Sequence, residues 1–144
     1  MSSYILIDRS VNDKKWWSDL VRACAVIGDT FEIHCWHDEN EAVRLALKYG
    51  KKISSTWRDG TVIIGTITRE FLDYLTAMQK PTDQEPYNKM TPFFTIQFGK
   101  TLSSEHYGSE IIIARMPDGK REMVDRILNK MENCAVIHRN IRCH

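Results

Sequence analysis

The stretch TFEIHCWHDENEAVRLALKYG, Thr30–Gly50, carries two periodicities in succession. Phe31, Ile33 and Cys35 alternate with Glu32, His34 and Trp36, the period of two of a strand with one buried face, so residues 30–36 read as a strand. Asp38 with Glu41 three residues later is a capping signal. Val43, Ala46 and Leu47 then supply an apolar helical face, and Gly50 stands where a helix C-cap belongs. A strand that passes into a helix within one short segment places the chain among folds that mix the two.

The flanks extend the pattern. Tyr4–Ile7 is a short apolar run and reads as a buried strand. Ser10 with Asp13 resembles a capping box. Behind it Trp16, Leu20, Ala23 and Ile27 form one helical stripe and Trp17, Val21 and Cys24 its neighbour, with Gly28 as the stop. Downstream, residues 53–57 and 61–67 flank Arg58-Asp59-Gly60 and read as a hairpin. Thr68 caps a helix with Phe71, Leu72, Leu75 and Met78 on one face. Residues 79–92 hold three of the four prolines and read as a loop. Residues 93–98 and 110–115 read as strands and Pro117-Asp118-Gly119 as a turn. Met123, Val124, Ile127, Leu128 and Met131 form another helical stripe, and residues 134–141 a closing strand. The expected fold is α+β: a mixed sheet with about four helices in a single domain, 1–144, with the Pro-rich loop 79–92 between two halves.

Composition bounds the function. The chain has 144 residues, 42% hydrophobic and 27% charged, as an ordinary globular domain does. Its apolar runs fall far short of the roughly 20 residues of a membrane span, and MSSYILIDRS lacks the basic and apolar regions of a secretory signal. Lys and Arg number 20 and Asp and Glu 19, which gives no bulk attraction to nucleic acid or anionic lipid. Cys24, Cys35, Cys134 and Cys143 include no CxxC pair, so a reduced, intracellular protein is expected. The balance hides a local asymmetry. No Lys or Arg falls between Arg22 and Arg44, whereas Asp29, Glu32, Asp38, Glu39 and Glu41 do. These acids read either as helix N-terminal and strand-end residues or as an acidic patch.

No motif defines an active site. Asp8 ends the first apolar strand without an acidic partner and reads as a turn residue. Gly60-TVII-Gly65-Thr66 has the glycine spacing of a phosphate loop but no Lys, and lies in a strand. His34 and Cys35 point to opposite faces of a strand and cannot share one ion with His37. Cys134, His138, Cys143 and His144 offer two sulfurs and two nitrogens at a poor spacing for a tetrahedral metal, so no metal or other cofactor is expected. Asp118-Gly119-Lys120 after a strand is compatible with a metal-dependent nuclease or phosphoesterase, with Glu105 or Glu110 as second acid, although Pro117 and Gly119 make it a turn. Ser103-Ser104-Glu105-His106-Tyr107 reads as a strand-connecting loop. Trp36, on the polar face of its strand, and Trp57, beside a turn, are candidate interface anchors.

The segment FEIHCWHDENEAVRLALKYGK, residues 31–51, resembles small bacterial immunity proteins, which pair with toxin domains such as those of contact-dependent growth inhibition systems. The resemblance implies a cytoplasmic, non-enzymatic protein that binds and blocks a cognate toxin, often a nuclease acting on transfer RNA or DNA. It implies no direct contact with nucleic acid or membrane. An inhibitor of that kind needs a stable fold, an acidic patch and aromatic anchors. Glu32, Asp38, Glu39 and Glu41 are the acidic candidates, Trp36 and Trp57 the anchors, with Asp83 and Glu85 on the Pro-rich loop. The near-neutral charge of the chain departs from the strongly acidic character of many nuclease inhibitors.

Overall fold

The computed structural model describes residues 2–7, 13–131 and 135–140. Asp8, Ser10, Cys134, Cys143 and His144, and with them the first capping box and three donors of the proposed Cys/His set, lie outside the described residues. The elements are β1 (Ser2–Ile7), α1 (Lys15–Cys24), β2 (Thr30–Trp36), α2 (Asn40–Ala46), β3 (Lys51–Ile53), β4 (Gly60–Thr66), α3 (Arg69–Ala77), β5 (Thr95–Phe98), β6 (Leu102–Glu105), β7 (Glu110–Ile113), α4 (Arg121–Lys130) and β8 (Ala135–Asn140). The α+β class and its four α-helices follow the sequence reading. Among the described residues no helix is long and apolar enough to cross a membrane.

Among the described residues one eight-stranded sheet, ordered β3-β4-β2-β5-β6-β7-β1-β8, draws strands from both sides of residues 79–92. The sheet is antiparallel at every described pairing, not mixed as expected. The alternation explains why. Each helix connects two strands that run in the same direction. These are β1 to β2, β2 to β3, β4 to β5 and β7 to β8. In every case at least one further strand is inserted between them, so no two parallel strands become neighbours.

The helices cover one face. The register aligns Ile63, Ile33, Ile96, Ser104, Ile111, Ile5 and Ile137 in a row across seven strands. Five of these isoleucines are fully buried, each stabilising the fold by about 1.5–3 kcal/mol. Phe31 of β2 stacks on Phe71 of α3 at 4.0 Å. Trp17 of α1 is fully buried and its indole N–H donates to Ser104 Oγ at 3.0 Å. Ser104 thus interrupts the isoleucine row because it supplies the acceptor a buried indole requires. Thr68 caps α3 by accepting from the Phe71 amide, as the sequence suggested.

Three local expectations are corrected. Residues 102–105 form a central strand, β6, where the serine-rich segment reads as a loop. The second strand of the 53–67 region is β4, but its partner is the three-residue β3 at Lys51–Ile53, which leaves Trp57 in the connection. At α2 the N-cap position is Glu39, with no side-chain cap; its carboxylate accepts instead from the Trp36 amide at 2.9 Å.

Candidate protein-binding face

The face away from α1, α3 and α4 carries the other half of each strand's alternation. One cross-strand row runs Val62, His34, Thr95 on β4, β2 and β5, and continues to Glu105 and Glu110 on β6 and β7. The next runs Ile64, Glu32, Gln97, Ser103, Ile112. The polar groups are tied to one another. His34 Nε2 lies 2.6 Å from Glu32 Oε2. Glu105 accepts from the Thr95 hydroxyl at 3.2 Å and from the Ser103 hydroxyl. His106 Nδ1 is 3.1 Å from Glu110 Oε1, an ion-pair distance.

An aromatic ladder crosses one end of this face. Trp57 meets Trp36 edge-on at 4.9 Å, Trp36 meets Phe94 at 5.0 Å, and Phe94 meets Tyr107 edge-on at 5.3 Å. Tyr87, from the Pro-rich loop, adds rings at 5.8 Å from Tyr107 and 5.0 Å from His106. Tyr107 is buried, whereas Trp36, Trp57, Phe94 and Tyr87 are partly exposed. Such centroid spacings are those of favourable ring pairs, about 0.5–1.5 kcal/mol each beyond their buried area.

Glu39 locks the ladder from below. Its second carboxylate oxygen accepts from the Tyr107 hydroxyl at 2.8 Å, while the first holds the Trp36 amide. Burial, reinforced by that bond and the charge of Glu39, pushes the Tyr107 phenol well above its ordinary range. The backbone is strained here. His106 and Tyr107 have φ of 50° and 61°, left-handed values that cost about 1–3 kcal/mol each in non-glycine residues. The surroundings impose them: the Tyr107 amide donates to Phe94 O at 3.0 Å, and Tyr107 O accepts from the Met90 and Thr91 amides at 2.7 and 3.2 Å.

The Pro-rich loop has no helix or strand but is closed on itself. Gln84 accepts from the Lys89 amide at 2.7 Å and donates to Pro81 O at 2.5 Å. Lys89 Nζ sits over the Tyr107 ring at 4.5 Å and 3.9 Å from Asp83 Oδ2. Asp83 Oδ1 also accepts from the Glu85 amide.

A chain of contacts therefore joins most of the residues singled out in the sequence. It runs from Glu32 through His34, Trp57, Trp36, Glu39 and Tyr107 to Lys89, Asp83 and Glu85. Asp38 is exposed beside Glu39. Glu41 stands apart: it is exposed on α2 and paired with Arg44 at 2.5 Å, which holds its carboxyl below the usual range. Phe94, Tyr107, Tyr87, His106 and Glu110 belong to the face but no periodic signal marks them; strand pairing brings them in from distant segments.

The remaining candidates disperse. Asp118 and Lys120 lie on the loop after β7, beyond its Ile113 end, whereas Glu105 and Glu110 pair at the opposite end of the β6–β7 hairpin. The acids of a two-carboxylate metal site are thus not brought together. His37 is exposed and its Nε2 meets Arg58 O at 2.6 Å. Cys24 and Cys35 are buried in the core, and burial pushes each thiol up to about 12. Among the described residues no three His, Cys, Asp or Glu side chains gather as a metal requires.

Geometry and chemistry define an antiparallel α+β fold with one helix-covered face and, among the described residues, an opposite face without a helix that bears partly exposed aromatic and acidic groups. No protein-family model, no curated protein and no solved structure matches the chain.

Proposed function

We propose that the chain is a binding protein that neutralises a bacterial toxin domain of the contact-dependent growth inhibition kind, in the cytoplasm, by docking its open sheet face onto it. The observation that carries this reading is the partly exposed ladder Trp57–Trp36–Phe94, flanked by Glu32, Asp38 and Glu39. Clustered, partly exposed aromatic groups with charged residues at their margin are the composition of the energetic centre and rim of a protein interface. The ladder is held by Glu39 and the strained Tyr107 turn, and the Trp57 ring lies so close to Gly60 that a Cβ there would meet it, so little side-chain entropy remains to be lost on docking. The acidic rim suits a basic partner surface, as a nucleic-acid-cleaving toxin presents. The segment 31–51, on which the family resemblance rests, supplies Trp36 and four of the acids.

The test is co-expression with the protein encoded immediately upstream. Growth arrest relieved by this chain, with a stable complex on size exclusion, supports the reading. Trp36→Ala should then weaken the complex by about 30-fold or more, the scale of an interface hot spot. Asp38→Lys should slow association and reduce its salt sensitivity. An upstream protein that is harmless, or whose toxicity this chain does not relieve, overturns it.

A further inference from the structure

At the other end of the same strands lies a cleft of about 970 Å³, within the range of small-molecule sites. β2 begins there, β5 turns into β6 there through Gly99–Thr101, and β7 leaves there through residues 115–120; the end of α1 and the start of α3 complete the wall. β2 has seven residues, so at about 3.4 Å per residue this cleft is about 20 Å from Trp36.

Its charge is the reverse of the open face. Arg22 is committed to Asp73 at 2.9 Å. Arg69, Lys100, Arg115 and Lys120 also line the cleft, and among the described residues none has a carboxylate within ion-pair distance. They come from three separate segments, α3, the β5–β6 turn and the β7–α4 connection, so the fold and not a local repeat gathers them. These four cations outnumber the two carboxylates of the wall, Asp29 and Asp118, so the concavity carries a positive excess that favours an entering anion. Two further features narrow the anion. Val26 and Ile27, 39% and 56% exposed, are among the few large apolar side chains left in water, and both line this cleft. Asp29 and Asp118, also in the wall, have no cation within ion-pair distance among the described residues, and so offer free acceptors.

We infer that this cleft binds a nucleoside phosphate. The phosphates are taken by the four cations through charge-assisted hydrogen bonds. The base lies against Val26 and Ile27, and ribose hydroxyls or an exocyclic amine donate to Asp29 or Asp118. A bare phosphate uses neither the apolar wall nor the carboxylates. An acyl phosphate uses the wall but not the acids.

The test is titration of the 15N-labelled chain with ADP, with pyrophosphate and adenosine as separate arms, followed by amide NMR. ADP should give saturable shifts centred on Gly99, Lys100 and Gly119. Pyrophosphate and adenosine should each bind more weakly. The double variant Lys100→Glu/Arg115→Glu, on exposed positions and with its unfolding midpoint checked, should bind ADP at least about tenfold more weakly. Absence of saturable shifts at these amides up to millimolar ADP overturns the inference. So does pyrophosphate binding as tightly as ADP, or ADP binding unchanged in the folded double variant.

Discussion

Gly60→Ala separates the aromatic ladder from the rest of the fold. Gly60 pairs with Trp36 in the β2–β4 register. A Cβ there would come within 2.5 Å of the Trp57 ring, and its three nearest atoms all belong to that indole. Gly60 has no left-handed φ, so alanine suits its backbone and the cost falls on Trp57. The relief is for the indole to swing into water. That forfeits its edge contact with Trp36, worth about 0.5–1.5 kcal/mol. It also re-exposes roughly half of an aromatic's 150–250 Å², about 2 kcal/mol at 25 cal/mol per Å². The loss of chain entropy in the unfolded state returns about 0.4–1 kcal/mol. The net destabilisation is about 2–3 kcal/mol. Urea unfolding followed by far-UV circular dichroism reads it as a lower midpoint at unchanged slope, and the near-UV tryptophan bands should lose the share that the Trp36–Trp57 pair contributes, while that of the buried Trp16 and Trp17 stays. In a Trp57→Ala background the same substitution should be neutral or slightly stabilising, which isolates the pairwise term. An equal cost with and without Trp57, or a parental near-UV spectrum in Gly60→Ala, would refute the seating of Trp57 on Gly60.

Three further outcomes are expected. Ser104→Ala leaves the fully buried Trp17 N–H without its acceptor, so it should lower unfolding free energy by about 1–3 kcal/mol in denaturant titration; a change near zero would contradict the bond. Tyr107 has a folded-state pKa above its unfolded value of about 10, so its contribution to stability is complete below pH 10 and is lost as pH rises through the folded value. Glu39→Gln removes the charge opposing ionisation, and one phenol's share of the 295 nm absorbance should move to lower pH; superimposable titrations would show that Glu39 does not face Tyr107. Cys24 and Cys35 should resist alkylation of the native chain at pH 8, as peptide mapping reads it, and react after unfolding, because burial keeps both thiols protonated.

The fold was legible where one face of an element is apolar. The alternation in Phe31–Trp36 and the cap at Thr68 appear in the structure as they read. β6 was not legible, because Leu102-Ser103-Ser104-Glu105 lacks that contrast. One of its inward positions is a serine that serves an indole, and its outward ones, Ser103 and Glu105, are polar. The face was half legible. Trp36 and its acidic neighbours announce themselves as outward residues of one strand. Phe94 hides in an apolar run, and Tyr107 gains its place from a left-handed turn that no local preference of tyrosine suggests. Glu39 reads as a free acid, yet both its oxygens are engaged.

The position of β1 has a kinetic consequence. Residues 2–7 are seated between β7 and β8, pairing with residues 110–113 on one side and 135–140 on the other. Among the described residues β8 has no other strand beside it. β1 therefore stays unpaired until residues 110–113 and 135–140 are in place, and such long-range closures slow folding. Throughout that interval Ile5, Leu6 and Ile7 form an apolar segment with two open edges, a template for pairing with another chain. Docking of β1 is a late event that fixes residues 2–7 and 135–140 at once, and a lesion in β1 releases β8 with it.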